Sequence, residues 1–134
     1  MLPCKILIVD DDRDDLDLLH SSFYEIGVKN IHTVESMREA IEFLKSAAGI
    51  NILPKLIITD LNMPGQSGYD FLKFLKTTPH YMHIPVIIFS TSVSDKEIRK
   101  SLLLGAIDYI PKPVNLKDYV ELAIKMNARI ESVF

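Results

Sequence analysis

At 134 residues, with 48% hydrophobic and 25% charged residues and a net charge of −3, the chain has the make-up of one ordinary soluble globular domain. Its basic residues are scattered, which argues against binding nucleic acid or an anionic membrane; no apolar run approaches the ~18–20 residues of a membrane span, and Met1-Leu2-Pro3-Cys4-Lys5 is not an export signal. The single cysteine, Cys4, excludes an intrachain disulfide and a thiolate metal cage and reads as a small buried hydrophobe, so a cytoplasmic location is expected.

Short apolar runs alternate with helix-period segments five times, the signature of a βαβ parallel sheet. The first strand is expected over Lys5–Val9. Leu16, Leu19, Phe23 and Ile26 then mark a helix closed by Gly27. Ile31–Val34 alternates in polarity and suits an edge strand. Ser36-Met37-Arg38-Glu39 is a capping box opening a second helix, with Ala40, Ile41, Leu44 and Ala47 inward. A strand over Lys55–Thr59 leads through Leu61-Asn62-Met63-Pro64-Gly65 to a third helix near Ser67, carrying Phe71, Leu72 and Leu75. His80-Tyr81-Met82-His83 reads as a surface loop rather than a metal site, and Val86–Phe89 as a strand. Ser94-Asp95-Lys96-Glu97 is a second capping box. Asp108–Ile110 is the last strand, and a fifth helix after Asn115 carries Leu116, Tyr119, Val120, Ala123, Asn127 and Ile130 on one stripe. The fold class is α/β: a flavodoxin-like, doubly wound five-stranded parallel sheet of order 2-1-3-4-5 with five helices, one domain over residues 1–134 and no output domain.

The chemistry collects at strand ends. The first strand ends in Asp10-Asp11-Asp12, the third in Asp60, the fourth in Ser90 and the fifth in Lys112, all on the sheet edge where ligands bind in open parallel folds. Adjacent carboxylates repel, and Mg²⁺ would relieve that repulsion. A solvated turn in which Asp12 caps the first helix explains the acidic run equally well. The Pro-Gly segment after Asp60 turns the chain just past its carboxylate, so that Asp60 could attack phosphorus beside a bound cation. A Ser90 hydroxyl and a Lys112 ammonium, the latter between Pro111 and Pro113, would serve the phosphoryl oxygens.

Residues 6–12, Asp60-Leu61-Asn62-Met63-Pro64-Gly65, Ser90 and Lys112-Pro113 together resemble the receiver domain of two-component response regulators, and the chain is similar to the single-domain chemotaxis type. The resemblance implies that Asp60 is the phospho-acceptor, with Ser90 and Lys112 completing the catalytic group. It implies a Mg²⁺ site of Asp10, Asp11, Asp60 and the Asn62 carbonyl, a Ser90–Tyr109 switch, and a cis peptide between Lys112 and Pro113. Thr91 stands where many receivers have a small residue, and Asn62 and Ser92 occupy the positions that tune the phosphate's lifetime. The implied partners are a sensor histidine kinase or histidine phosphotransfer protein and a downstream protein target, with no nucleic acid or membrane involved. The implied state is a monomer or a phosphorylation-dependent dimer, and the protein is not a turnover enzyme on small substrates. Leu102-Leu103-Leu104 cannot all face inward, which suggests an apolar docking spot beside Tyr109. The competing class is a phosphatase of the haloacid-dehalogenase type, with Asp10 as nucleophile and Asp12 as acid; it leaves Asp60 idle.

Overall fold

Strands of continuous Ile, Leu and Val need cover on both faces, and the fold supplies it. The computed structural model describes residues 4–63 and 65–132, the side chains of Gln66, Glu131 and Ser132 excepted. Pro64 of the expected turn and residues 1–3 of the N-terminus lie outside the described residues. Strands β1 (Ile6–Val9), β2 (Ile31–Val34), β3 (Leu56–Thr59), β4 (Val86–Ser90) and β5 (Asp108–Pro111) form one parallel sheet in the order β2-β1-β3-β4-β5. Helices α1 (Arg13–Glu25), α2 (Met37–Gly49), α3 (Gly68–Thr77), α4 (Asp95–Leu103) and α5 (Asp118–Ser132) connect and cover them.

The two-residue period of the strands divides the core into two layers. Leu7, Val9, Ile57, Val86 and Ile88 pack with Ala40 and Leu44 of α2 and Phe71, Leu72 and Leu75 of α3. Ile6, Ile8, Ile58, Ile87 and Phe89 point the other way, against Leu16, Leu19 and Phe23 of α1 and Ala123, Met126 and Ile130 of α5. Both layers are buried, so the register is held firmly: a one-residue slip would exchange the layers.

Helix ends follow local chemistry. Asp12 is the N-cap of α1, its Oδ1 accepting from the amides of Asp14 at 3.0 Å and Asp15 at 3.2 Å. Gly27, at φ +90°, closes α1: its amide donates to Tyr24 and that of Val28 to Phe23, the paired bonds of a Schellman motif. Asn51, at φ +59°, does the same for α2.

Three expectations are corrected. Ser94 stands at the N-cap of α4 but its side chain makes no capping bond; its amide, which the box would give to the Glu97 side chain, donates to Ser92 Oγ at 3.3 Å. Leu116 is 67% exposed and Met126 fully buried, because α5 starts two residues later than Leu116 and its stripe runs Tyr119, Ala123, Met126, Ile130. Tyr81 is buried against Phe74 rather than lying on a surface loop, while His80 and Met82 beside it are exposed.

Candidate functional site

The sheet ladder carries the site residues one step beyond the strands. Asp10 donates its amide to the Val34 carbonyl at 3.1 Å and Asp60 to that of Val9 at 3.0 Å, so the two carboxylates emerge from adjacent strands at one level. Across β4, the Lys112 amide donates to the Ser90 carbonyl at 2.8 Å. The expected cis peptide at Pro113 is not formed: the described residues contain none. Trans is the lower-energy form of an X-Pro bond, and the backbone bond to Ser90 together with the carboxylates around Nζ places Lys112 without it.

Lys112 is the centre of the arrangement. Its side chain is 6% exposed, and Nζ lies 2.7 Å from Asp10 Oδ2, 2.7 Å from Asp15 Oδ2 and 3.1 Å from Asp60 Oδ2. Burial alone would lower the lysine's pKa, but hydrogen bonds to Asp10 and Asp15 and the charges of Asp10 and Asp60 outweigh it and raise the pKa above its ordinary value. The charged ammonium is therefore the favoured form. Burial acts the opposite way on Asp10, lifting its carboxyl to about 6 against the lowering effect of Lys112 and the Asp12 amide.

Asp60 is pinned at both oxygens. Oδ1 accepts from the amides of Leu61 at 2.7 Å and Asn62 at 3.3 Å, and Oδ2 faces Lys112. The chain then folds back at once: Asn62 and Met63 pair antiparallel with Ser67 and Gln66 through Gly65 at φ +75°, and the Gly68 amide returns to the Leu61 carbonyl at 2.7 Å. Gly68 opens α3 directly against Asp60 and Leu61, a close approach that only a residue without Cβ allows.

Asp10, Asp11 and Asp60 each offer one carboxylate oxygen, all within 4.8 Å of one another, with Asp11 exposed at the mouth. One lysine cannot balance these three and Asp15, and hard oxygen donors at this spacing fit a shared divalent cation of the Mg²⁺ or Mn²⁺ kind. Asp12 stands outside the group, its carboxylate committed to the α1 cap. That is the wrong place for the acid of a dehalogenase-type phosphatase.

Ser90 is fully buried at the end of β4 and its Oγ accepts from the Ser92 amide at 3.3 Å. Tyr109 is also buried, and its hydroxyl donates to the Ser92 carbonyl at 2.8 Å. One short loop, 90–92, thus touches both. On α4, Leu102 is 45% and Leu103 87% exposed while Leu104 packs against the core, as the helical turn requires.

Sequence reasoning missed two residues here, Asp15 and Gly68. Asp15 had a signal: it precedes Leu19 by four residues, so it continues the inward stripe of α1 toward the acidic turn. Gly68 had none beyond being a glycine at a helix start.

These strand-end groups gather on the one edge where doubly wound parallel sheets bind ligands. A family model for the response regulator receiver domain matches residues 6–124, and the chain belongs to that family. The two-component response regulator ORR13 of Oryza sativa subsp. japonica is 37% identical over 113 residues, covering 84% of this chain and 89% of the rice protein. Among solved structures, the phosphorylated cyanobacterial phytochrome response regulator RcpA superposes with a TM-score of 0.86 at 28% identity, covering 99% of this chain and 97% of that one. The Mn²⁺-bound form of response regulator Rcp1 gives a TM-score of 0.78 at 27% identity, with 94% and 93% covered. Members of this family are response regulators that accept a phosphoryl group on an aspartate, and receiver domains bind Mg²⁺ at an acidic pocket. No helix among the described residues is long and apolar enough to cross a membrane.

Proposed function

We propose that Asp60 is the phospho-acceptor, that Asp10, Asp11, Asp60 and the Asn62 carbonyl hold Mg²⁺, and that Lys112 and Ser90 receive the phosphoryl oxygens. The observation that carries this reading is the double anchoring of Asp60, with Oδ1 on two backbone amides and Oδ2 on Lys112, inside a cluster of carboxylates. An aspartate is a weak nucleophile that must be held in line and relieved of like charge. The cation, when bound, supplies charge neutralisation for the incoming phosphoryl group. Lys112 adds a charged donor, and the backbone amides of Leu61 and Asn62 fix the carboxylate plane.

The phosphoryl group would come from a sensor histidine kinase or histidine phosphotransfer protein. The signal would leave by protein contact at the α4–β5–α5 face, in the cytoplasm. Drawing Ser90 toward the phosphoryl oxygens moves loop 90–92, whose Ser92 carbonyl anchors Tyr109, so acceptor and output face share one hinge. Exposed Leu102, Leu103, Leu116 and Ile124 give that face an apolar character suited to a partner or a second copy. Reversing a 1:99 population needs about 5.5 kcal/mol, within reach of several charge-assisted contacts.

With Mg²⁺ and acetyl phosphate, wild type is expected to gain one phosphoryl mass and Asp60→Asn none, while both remain folded. Phosphorylation of the variant at an unchanged rate would place the acceptor elsewhere.

Metal binding is expected to depend on pH through Asp10. Its folded pKa, about 6, lies above the ordinary carboxyl value. The proton therefore stabilises the fold at low pH, and that contribution fades as pH rises through about 6. Mg²⁺ needs the ionised form, so its apparent affinity should fall with pH below about 6, approaching tenfold per unit. Thermal shifts on adding Mg²⁺ would be larger at about pH 7.5 than at about pH 5; equal shifts would show that Asp10 does not ligate the metal.

A further inference from the structure

Asp15 has no role in the chemistry so far, yet its Oδ2 lies 2.7 Å from Lys112 Nζ, as close as that of Asp10 and closer than that of Asp60. We propose that Asp15 is a positioning residue that restrains the phosphorylated state, holding Lys112 in place while setting a fixed negative charge beside the phosphoryl site. The inference rests on the assignment of Asp60 and Lys112 above.

The geometry supports both halves. An ammonium has three N–H donors, and here three carboxylates lie within 3.1 Å of it, Asp15 and Asp60 accepting hydrogen bonds. Of these, Asp10 belongs to the metal cluster and Asp60 becomes the acyl phosphate, whose phosphoryl oxygens inherit its donor. Asp15 alone sits on a helix rather than at a strand end, in the first turn of α1 behind the Asp12 cap, and it does not belong to the metal cluster. It therefore stays on Lys112 when the other two change partners. Its charge also stays: Asp15 Oδ2 and Asp60 Oδ2 are bridged by one nitrogen and can be no farther apart than about 6 Å, the range in which a like charge measurably opposes an anion. Asp15 is only 21% exposed at its side chain, so water screens it incompletely. A phosphoryl group arriving at Asp60 thus meets a lysine well aimed but partly neutralised.

The two halves separate by substitution. Asp15→Asn keeps an oxygen acceptor for Lys112 and removes the charge, whereas Asp15→Ala removes both. Affinity for beryllofluoride with Mg²⁺, read by amide NMR titration, and the rate of phosphorylation by acetyl phosphate, read by intact mass, are measured on each. Asp15→Asn is expected to raise both by about tenfold, and Asp15→Ala to fall short of that gain because Lys112 loses its anchor. Raising the ionic strength should narrow the gap between wild type and Asp15→Asn. A purely structural role predicts that both variants fall below wild type, since losing an acidic residue from a helix's first turn weakens the fold and should weaken binding with it. Wild type that binds beryllofluoride while Asp15→Asn binds no better would overturn the proposal. Wild type that binds none would instead remove the Asp60 assignment, and this inference with it.

Discussion

Gly68→Ala is expected to lose phosphoryl acceptance and about 3 kcal/mol or more of stability, although the residue never touches the substrate. A β-carbon at this position would overlap the Asp60 carbonyl oxygen and lie 2.5 Å from the Leu61 Cα. Both obstacles are backbone. A flexible side chain could swing away, but these atoms are fixed by the sheet, since the Asp60 amide is bonded to Val9 and the Gly68 amide to Leu61. Relief requires α3 to withdraw or the Asp60 loop to shift, and either displaces the amides that hold Oδ1. An ångström-scale shift of a reacting group costs about a hundredfold in rate. Denaturant melts and phosphorylation by acetyl phosphate check both parts. An alanine variant with wild-type stability would mean that α3 can retreat freely, and the close packing would then carry no weight.

Lys112→Ala is the second large effect. It leaves the carboxylates of Asp10, Asp15 and Asp60 facing one another without their shared ammonium. Removing one partner from a buried charge cluster costs about 3–5 kcal/mol, and proton uptake by Asp10, whose carboxyl already sits near 6, brings the loss to the lower end. The variant should therefore be less stable than wild type at neutral pH and recover part of the loss as pH falls. Mg²⁺ should raise its melting temperature more than that of wild type, because the divalent cation replaces the missing counter-charge. Its phosphoryl state should form slowly or not at all, lacking the donor for the phosphoryl oxygens. A variant as stable as wild type, with an unchanged response to Mg²⁺, would show that Lys112 neutralises nothing.

Much of this was legible in the chain before any coordinates. Continuous apolar runs such as Ile6–Val9 and Val86–Phe89 can only be central strands, and the polar change at the end of each marks the functional edge. Asp10, Asp60, Ser90 and Lys112 were therefore readable as one constellation, since a parallel sheet places all its strand ends together. Capping chemistry was readable for Asp12 and Ser36, where a short side chain meets amides two or three residues away. It failed at Ser94, whose hydroxyl takes no amide of α4 while its own amide is bonded to Ser92 Oγ two residues back. Local motifs state which bonds are possible, not which competitor wins.

The amino-acid sequence by itself determined the five strands, the edge place of the second, the two-layer core and the set of groups at the carboxyl edge, because each follows from periodicity and from the geometry of a parallel sheet; the full strand order came only with the flavodoxin-like pattern that these elements fit. Only the tertiary structure decided which carboxylates share Lys112 and how closely α3 presses on Asp60. Asp15 and Lys112 are 97 residues apart and Gly68 meets backbone rather than a side chain. Contacts of that kind depend on how helices seat against the sheet to within an ångström, a property of the whole packed core that no local pattern encodes.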